Sequence, residues 1–353
     1  MRLIMFDPNE LLRPHLKNLV PYSSAREDYK GSEGVFLDAN ENPFGSITEE
    51  NWNRYPDPYQ VKLKGRIGEI KSVSADRIFL GNGSDEPIDL LFRAFCEPGV
   101  DNVIINPPTY GMYKVSADIN NVEAREVLMT RDFDLDVDGI RQAIDDQTKI
   151  VFICSPNNPS GNDVDLTKIE AILKEFNGLV VIDEAYIDFT ERASFIDRLD
   201  EFPNLIVLQT FSKAWGLAAL RLGMAFCSKE VLNVLNKIKA PYNLSGLTQE
   251  TVFEALKDVK RKDDMVRDIL VNKETLKVAL EGLERIEKVY PSDANFFLVK
   301  TRKARQLYED LIGHQVILRD RSKVALCEEG IRITVGTKSE NRILIQTLKE
   351  IGN

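Results

Sequence analysis

Short runs of β-branched and aliphatic residues recur through the first two-thirds of the chain, each giving way to a helical pattern. They are Ile78-Phe-Leu80, Val103–Ile105, Ile150-Val-Phe-Ile153, Leu179-Val-Val-Ile182 and Val207-Leu208. A strand with one wet face alternates apolar and polar residues, so an uninterrupted apolar run marks a strand covered on both faces. Strands of that kind alternating with helices wind into a mainly parallel α/β sheet.

After Pro241 the pattern changes. A charged helical stretch runs from Thr248 to Leu283, followed by strand signals at Asn295–Val299, Val316–Leu318 and Ile331–Val335 and by helical patterns at 304–312 and 340–351. The reading is a wound large domain over 36–245 and a smaller α+β domain over 246–353. Residues 1–35 form an N-terminal segment associated with the small domain and the substrate cleft.

Bulk properties exclude several classes. A formal charge of -10 over 353 residues argues against a nucleic-acid or anionic-membrane surface. The apolar run at the N-terminus is broken by Asp7 and Pro8, too short for a signal peptide. No segment reaches the roughly 18 apolar residues of a membrane helix. Cys96, Cys154, Cys227 and Cys327 are scattered without a CxxC pair, and read as reduced thiols, mostly in strands, of a cytoplasmic protein. His15 and His314 lie in no metalloprotease or hydrolase motif and read as solvated or structural; no metal site is expected.

In open wound sheets, ligands bind at the carboxyl ends of the strands. Gly81-Asn-Gly-Ser84-Asp85-Glu86 follows the first run. Glu86 breaks the dinucleotide fingerprint, yet the turn suits one phosphate at a helix start. Tyr110 follows the second run on a Pro-Pro turn, and Asn157-Asn158-Pro-Ser-Gly161 follows the third. Asp183-Glu184-Ala-Tyr186 follows the fourth, where the acid could cap a helix, hold magnesium or face one ligand together with Tyr186. Thr210, Ser212, Lys213 and, eight residues later, Arg221 close the series. Singly, each reads equally as a turn, a cap or a surface residue. Together they supply a Schiff-base lysine, an acid for a pyridine nitrogen and a phosphate cup, which is what pyridoxal 5'-phosphate requires.

The motifs SPNNPSG, DEAY and FSKAWGLAALRLG resemble those of the fold-type I pyridoxal-phosphate aminotransferases. The segments Pro21–Arg26, Leu37–Pro43, Arg54–Asp57, Ile317–Arg321 and Ile331–Gly336 extend the resemblance to the histidinol-phosphate aminotransferase family over nearly the whole chain. The resemblance implies that Lys213 carries the Schiff base and shuttles the proton, that Asp183 pairs with the pyridinium, and that Asn158 and Tyr186 bind the phenolic oxygen. It implies Tyr110 on the ring, and Ser84, Asp85, Thr210, Ser212 and Arg221 around the phosphate, with Tyr55 reaching in from the other subunit of a homodimer with shared sites. Tyr22, Asn40, Arg319 and Arg332 would hold the anionic ends of histidinol phosphate and glutamate or 2-oxoglutarate. An aromatic-amino-acid transaminase, a threonine-phosphate decarboxylase and, more remotely, a cofactor-binding regulator are the alternatives.

Overall fold

The computed structural model describes residues 6–22 and 34–351. Residues 23–26 of the first matching segment lie outside them. The large sheet contains β1 (Ile78–Asn82), β2 (Asn102–Ile105), β3 (Glu123–Glu126), β4 (Thr148–Cys154), β5 (Leu179–Asp183), β6 (Leu205–Thr210) and β7 (Leu222–Phe226). Its order is β1-β7-β6-β5-β4-β2-β3, with β7 antiparallel to both neighbours and the remaining pairs parallel. The small sheet, β8 (Ile286–Val289), β9 (Phe296–Thr301), β10 (Arg319–Asp320) and β11 (Gly330–Thr334), is antiparallel in the order β10-β11-β9-β8.

The continuous apolar runs have the expected cause. Along β5, Val180 and Ile182 enter one core, while Leu179 and Val181 enter another on the opposite face. β4 divides in the same way, with Val151 and Ile153 on one side and Ile150 and Phe152 on the other. The strand period of two sends alternate residues to opposite faces, so both sets must be apolar.

Among the described residues the α-helices are α1 (Pro8–Leu11), α2 (Pro14–Lys17), α3 (Val61–Lys71), α4 (Asp85–Phe95), α5 (Met112–Ile119), α6 (Val137–Ala143), α7 (Leu166–Glu175), α8 (Lys229–Ile238), α9 (Gly246–Ala255), α10 (Val259–Glu281), α11 (Ala304–Gly313) and α12 (Lys338–Ile351). α4 buries Ile88, Leu91, Phe92 and Phe95, the i, i+3, i+4, i+7 stripe of an amphipathic helix.

Several expectations need correction. Leu12 and Leu16 join the large-sheet core beside α4 and α8, so the described N-terminal helices pack there and not on the small sheet. The single helix expected over 248–283 is two, because the Asp258 side chain accepts the Arg261 N–H and starts α10 anew. α9 packs on α3, with Val252 in the large-sheet core. β3, with the polar sequence Glu-Ala-Arg-Glu, escaped notice because it is an edge strand with little burial. Only Cys154 of the four buried, free cysteines lies inside a strand.

β7 runs so close to the turn after β1 that a Cβ on Gly223 would land on the Gly83–Ser84 backbone. Gly223→Ala should therefore lower stability by about 3 kcal/mol or more, at the upper end of overpacking costs. A urea midpoint equal to that of the parent would show that the two backbones can separate freely.

Candidate active site

The ends of β4, β5 and β6 lie side by side and carry Cys154, Asp183 and Thr210. One charge network fastens them. The Arg192 guanidinium donates to Asp163 Oδ1 at 2.7 Å, to Glu184 Oε1 at 2.8 Å and to the Ser155 carbonyl at 2.6 Å. Glu184, fully buried, also accepts from Gln209 Nε2 at 3.0 Å and from the Phe195 N–H at 2.9 Å. Such a buried pair contributes little net stability, yet removing one partner strands a charge, so the arrangement resists distortion. Arg192 belongs to none of the motifs, and its partners Ser155, Asp163 and Glu184 lie in separate loops, two of them directly after β4 and β5.

Asp183 ends β5 and is buried. Its Oδ1 accepts the Ala185 N–H at 3.0 Å and its Oδ2 accepts the Tyr113 hydroxyl at 2.7 Å. Burial raises its pKa to about 6, opposed by those two hydrogen bonds. Tyr113 was not anticipated. It sits fully buried in α5, stacked on Phe152 at 4.9 Å. Its spacing of three from Tyr110 was the one available signal, since that places both rings on one side of a helical turn. Tyr110 donates its hydroxyl to Asp85 Oδ1 at 3.0 Å, and its pKa is raised, first by burial and then by Asp85.

Lys213 follows β6 in the turn beginning at Phe211. Its side chain opens onto the cleft, with Nζ 5.6 Å from the Tyr186 ring centroid. Among the described residues no carboxylate lies within ion-pair distance of it. Desolvation, then the charges of Arg332 and Arg221, lower its pKa, with Asp183 and Asp85 opposing. The amine is therefore neutral at lower pH than a free lysine side chain. Tyr186 is buried against Phe296, ring centroids 5.1 Å apart and edge to face, and burial raises its pKa.

At the head of α4, the Ser84 hydroxyl caps no backbone N–H. Gly83 has φ +69, and a Cβ there would stand 2.6 Å from Arg221 Nη2. Arg221, itself at φ +52, forms an ion pair through Nη2 with Asp85 Oδ2 at 3.6 Å. Thr210 Oγ1 donates to Ser212 Oγ at 3.0 Å. Glu86 anchors the turn by accepting the Asn82 N–H at 2.5 Å.

The small sheet closes the other side. Arg332 Nη1 donates to Asn158 Oδ1 at 2.5 Å. Arg319 lies directly across the ladder from Arg332. The remaining expected residues stand apart. Tyr55 is half exposed and stacks on Tyr242 at 4.6 Å. Tyr22 is exposed and lines a surface groove with Tyr59, Lys237 and Lys239, and no hydrogen bond joins it to either arginine. Asn40 is exposed in a left-handed turn, φ +54.

This donor set fits pyridoxal phosphate. Gly83 opens a cradle beside an uncommitted serine hydroxyl, a helix N-terminus and a guanidinium for a phosphate. A buried acid, Asp183, could hold a ring nitrogen, and Lys213, with no carboxylate partner among the described residues, could form the Schiff base.

The raised pKa of Asp183 carries a pH signature. Between about pH 4 and 6 the folded protein holds a proton that the unfolded chain releases, so stability falls as pH rises through that window. The shift, about two units, corresponds to about 3 kcal/mol. Urea unfolding of cofactor-free protein should show this loss. It should be absent in Asp183→Asn and extend to higher pH in Tyr113→Phe, where the stabilising hydroxyl is gone. A slope unchanged in Asp183→Asn would remove Asp183 as its source.

Residues 32–348 match the family of class I and II aminotransferases. The histidinol-phosphate aminotransferase of Cytophaga hutchinsonii is 56% identical over 344 residues, covering 98% of this chain and 99% of that protein. The solved histidinol-phosphate aminotransferase of Sinorhizobium meliloti in complex with pyridoxal-5'-phosphate shares the fold at a TM-score of 0.80 and 24% identity, covering 89% of each chain. The L-threonine-O-3-phosphate decarboxylase of Porphyromonas gingivalis shares it too, with TM-score 0.73, 23% identity and coverage of 85% and 91%. Shared architecture thus leaves the reaction open, whereas the close sequence relationship fixes the kinship: the chain belongs to the histidinol-phosphate aminotransferase family within aminotransferase class I and II.

Proposed function

We propose that this protein moves an amino group between L-histidinol phosphate and 2-oxoglutarate, giving imidazole acetol phosphate and L-glutamate in histidine biosynthesis, with pyridoxal phosphate as cofactor. The observation that carries the reading is Lys213, an amine with no carboxylate partner among the described residues, whose pKa is lowered by desolvation and by Arg332 and Arg221. When bound, the cofactor supplies an electrophilic carbon and an electron-withdrawing ring that make the substrate Cα–H acidic. Lys213 Nζ would take the proton from the substrate Cα and deliver it to that electrophilic carbon, across the nitrogen that joins the two. Asp183 would hold negative charge against the ring nitrogen, and Asn158 Nδ2 and the Tyr186 hydroxyl would donate to the phenolic oxygen. Tyr110 covers the ring. Ser84, Asp85, Thr210, Ser212 and Arg221 surround the cofactor phosphate.

Arg332 and Arg319 hold the substrate's anionic end. A planar guanidinium pairs with a carboxylate or a phosphate, so one arginine pair serves both amino donors in turn.

Lys213→Ala should lose turnover by a factor on the order of 10⁴ or more, beyond the usual range for acid–base catalysis. Among donors, histidinol phosphate should react with 2-oxoglutarate, while unphosphorylated histidinol and phenylalanine react poorly. Equal rates for phenylalanine would favour an aromatic transaminase, and carbon dioxide release from threonine phosphate would favour the decarboxylase.

The active unit is a homodimer in the cytoplasm. Val35, Leu37, Phe44, Ile47, Val61 and Leu247 are exposed large apolar side chains, most of them on the segment that also carries Tyr55. Apolar surface concentrated in this way marks an interface. Tyr55 then reaches the partner's cofactor phosphate. Mixing Tyr55→Phe chains with Lys213→Ala chains should restore activity above either parent, because one site of each heterodimer holds both residues intact. No gain on mixing would place Tyr55 outside the partner's site.

A further inference from the structure

The ribbon of β10 and β11 gathers more positive charge than two substrate-binding arginines require. Arg319 pairs with Arg332 across the ladder, and the Arg321 N–H continues the pairing by donating to the Gly330 carbonyl at 2.9 Å. Directly opposed residues, and residues two apart on one strand, share a face. Arg319, Arg321 and Arg332 therefore share the face turned toward Asn158, while Ile331 and Ile333 fill the small-sheet core behind it. Asp320 takes the opposite side, where its carboxylate meets Arg305 at 3.3 Å.

Among the described residues, none of the three guanidiniums has a carboxylate within ion-pair distance. Arg332 has the Asn158 amide. Arg321, half-buried, has a buried Nε without a hydrogen-bond partner. Leaving a buried donor unpaired is unfavourable, and more so on a charged group. Burial and the neighbouring charges of Arg332 and Arg319 all disfavour its protonated form, with only weak relief from Cys327 and Tyr186. A chain with 56 acidic residues does not lack carboxylates to neutralise such a cluster.

We propose that Arg321 is the third guanidinium of the substrate-anion subsite and the one that selects a phosphate dianion over a carboxylate. The inference rests on the reading of the substrate as a phosphate monoester. A carboxylate has two oxygens and one charge, which a single guanidinium fork satisfies. A phosphate monoester presents three terminal oxygens and two charges, so further donors add affinity only for it. Arg319 is exposed and its attraction is screened by water and salt, whereas half-buried Arg321 keeps more of its own.

The test uses the holoenzyme, in which the cofactor's own phosphate fills the cup at Gly83. The two half-reactions are measured separately in the parent, in Arg321→Gln and in Arg321→Met, which keeps the packing of the stem. Inorganic phosphate serves as a competitive inhibitor of the glutamate half-reaction. Both variants should raise KM for histidinol phosphate by about 10- to 100-fold and weaken phosphate inhibition to a similar degree. KM for glutamate and the visible spectrum of the bound cofactor should stay within about threefold and unchanged, respectively. Arg321→Lys should recover part of the loss. Equal losses for both donors, or no loss for either, would overturn the assignment. If the parent does not accept histidinol phosphate, the substrate reading fails, and phosphate inhibition that weakens in Arg321→Gln would still support the anion role.

Discussion

Gly161 and Asp293 meet backbone to backbone, and that contact sets where the small sheet sits against the large one. The Asp293 N–H donates to the Gly161 carbonyl at 2.7 Å, and the Asp293 carboxylate accepts the Asp163 N–H at 2.8 Å. Gly161 has φ +90, and a Cβ there would lie 2.5 Å from Ser292 Oγ. Only glycine combines that backbone conformation with so close an approach. From this seam follow the Tyr186–Phe296 contact and the Arg332–Asn158 hydrogen bond, which together join the substrate-facing arginines to the strand ends that carry Asp183 and Lys213.

The electrostatics of the cleft are unfinished in the protein alone. Asp183 is buried beyond what its two hydrogen bonds offset, which raises its pKa to about 6. Lys213 is pushed toward the neutral amine by burial and by arginines. Arg321 and Arg332 are both disfavoured as cations by burial and by like charges nearby. The charged form of each group is less favourable here than in water. Ligands of the complementary charge relieve all of these costs together, and a site arranged in advance of its ligand stabilises the bound state without reorganising.

The strain is sustained by rigid surroundings. The Arg192–Glu184–Asp163 network fixes the three central strand ends, and Tyr113, wedged against Phe152, holds the Asp183 carboxylate in orientation. Buried polar networks with their members satisfied hold geometry better than they add stability.

The wound sheet, its strand order along the chain and its site-bearing turns were legible because they are local. An apolar run covered on both faces, a glycine-rich turn or a lysine behind a strand each leaves its mark within a few residues. The positions of Asp183, Asn158, Tyr186, Lys213 and Arg221 at neighbouring strand ends followed from that. The partners were not legible. Tyr113 and Asp183 are 70 residues apart, and Asn158 and Arg332 are 174 apart. A hydrogen bond between such groups leaves no periodicity in either segment, since it depends on how two sheets and their helices pack. The same holds for β3, whose polar edge position hides its pairing, and for the second start of a helix at Asp258. The sequence by itself determined which chemical groups stand at the strand ends, because strand and turn propensities act over a few residues. The tertiary structure alone decided which of those groups are desolvated, which charges are left unpaired and which arginines share a face, because burial and Coulomb interactions depend on distances through space.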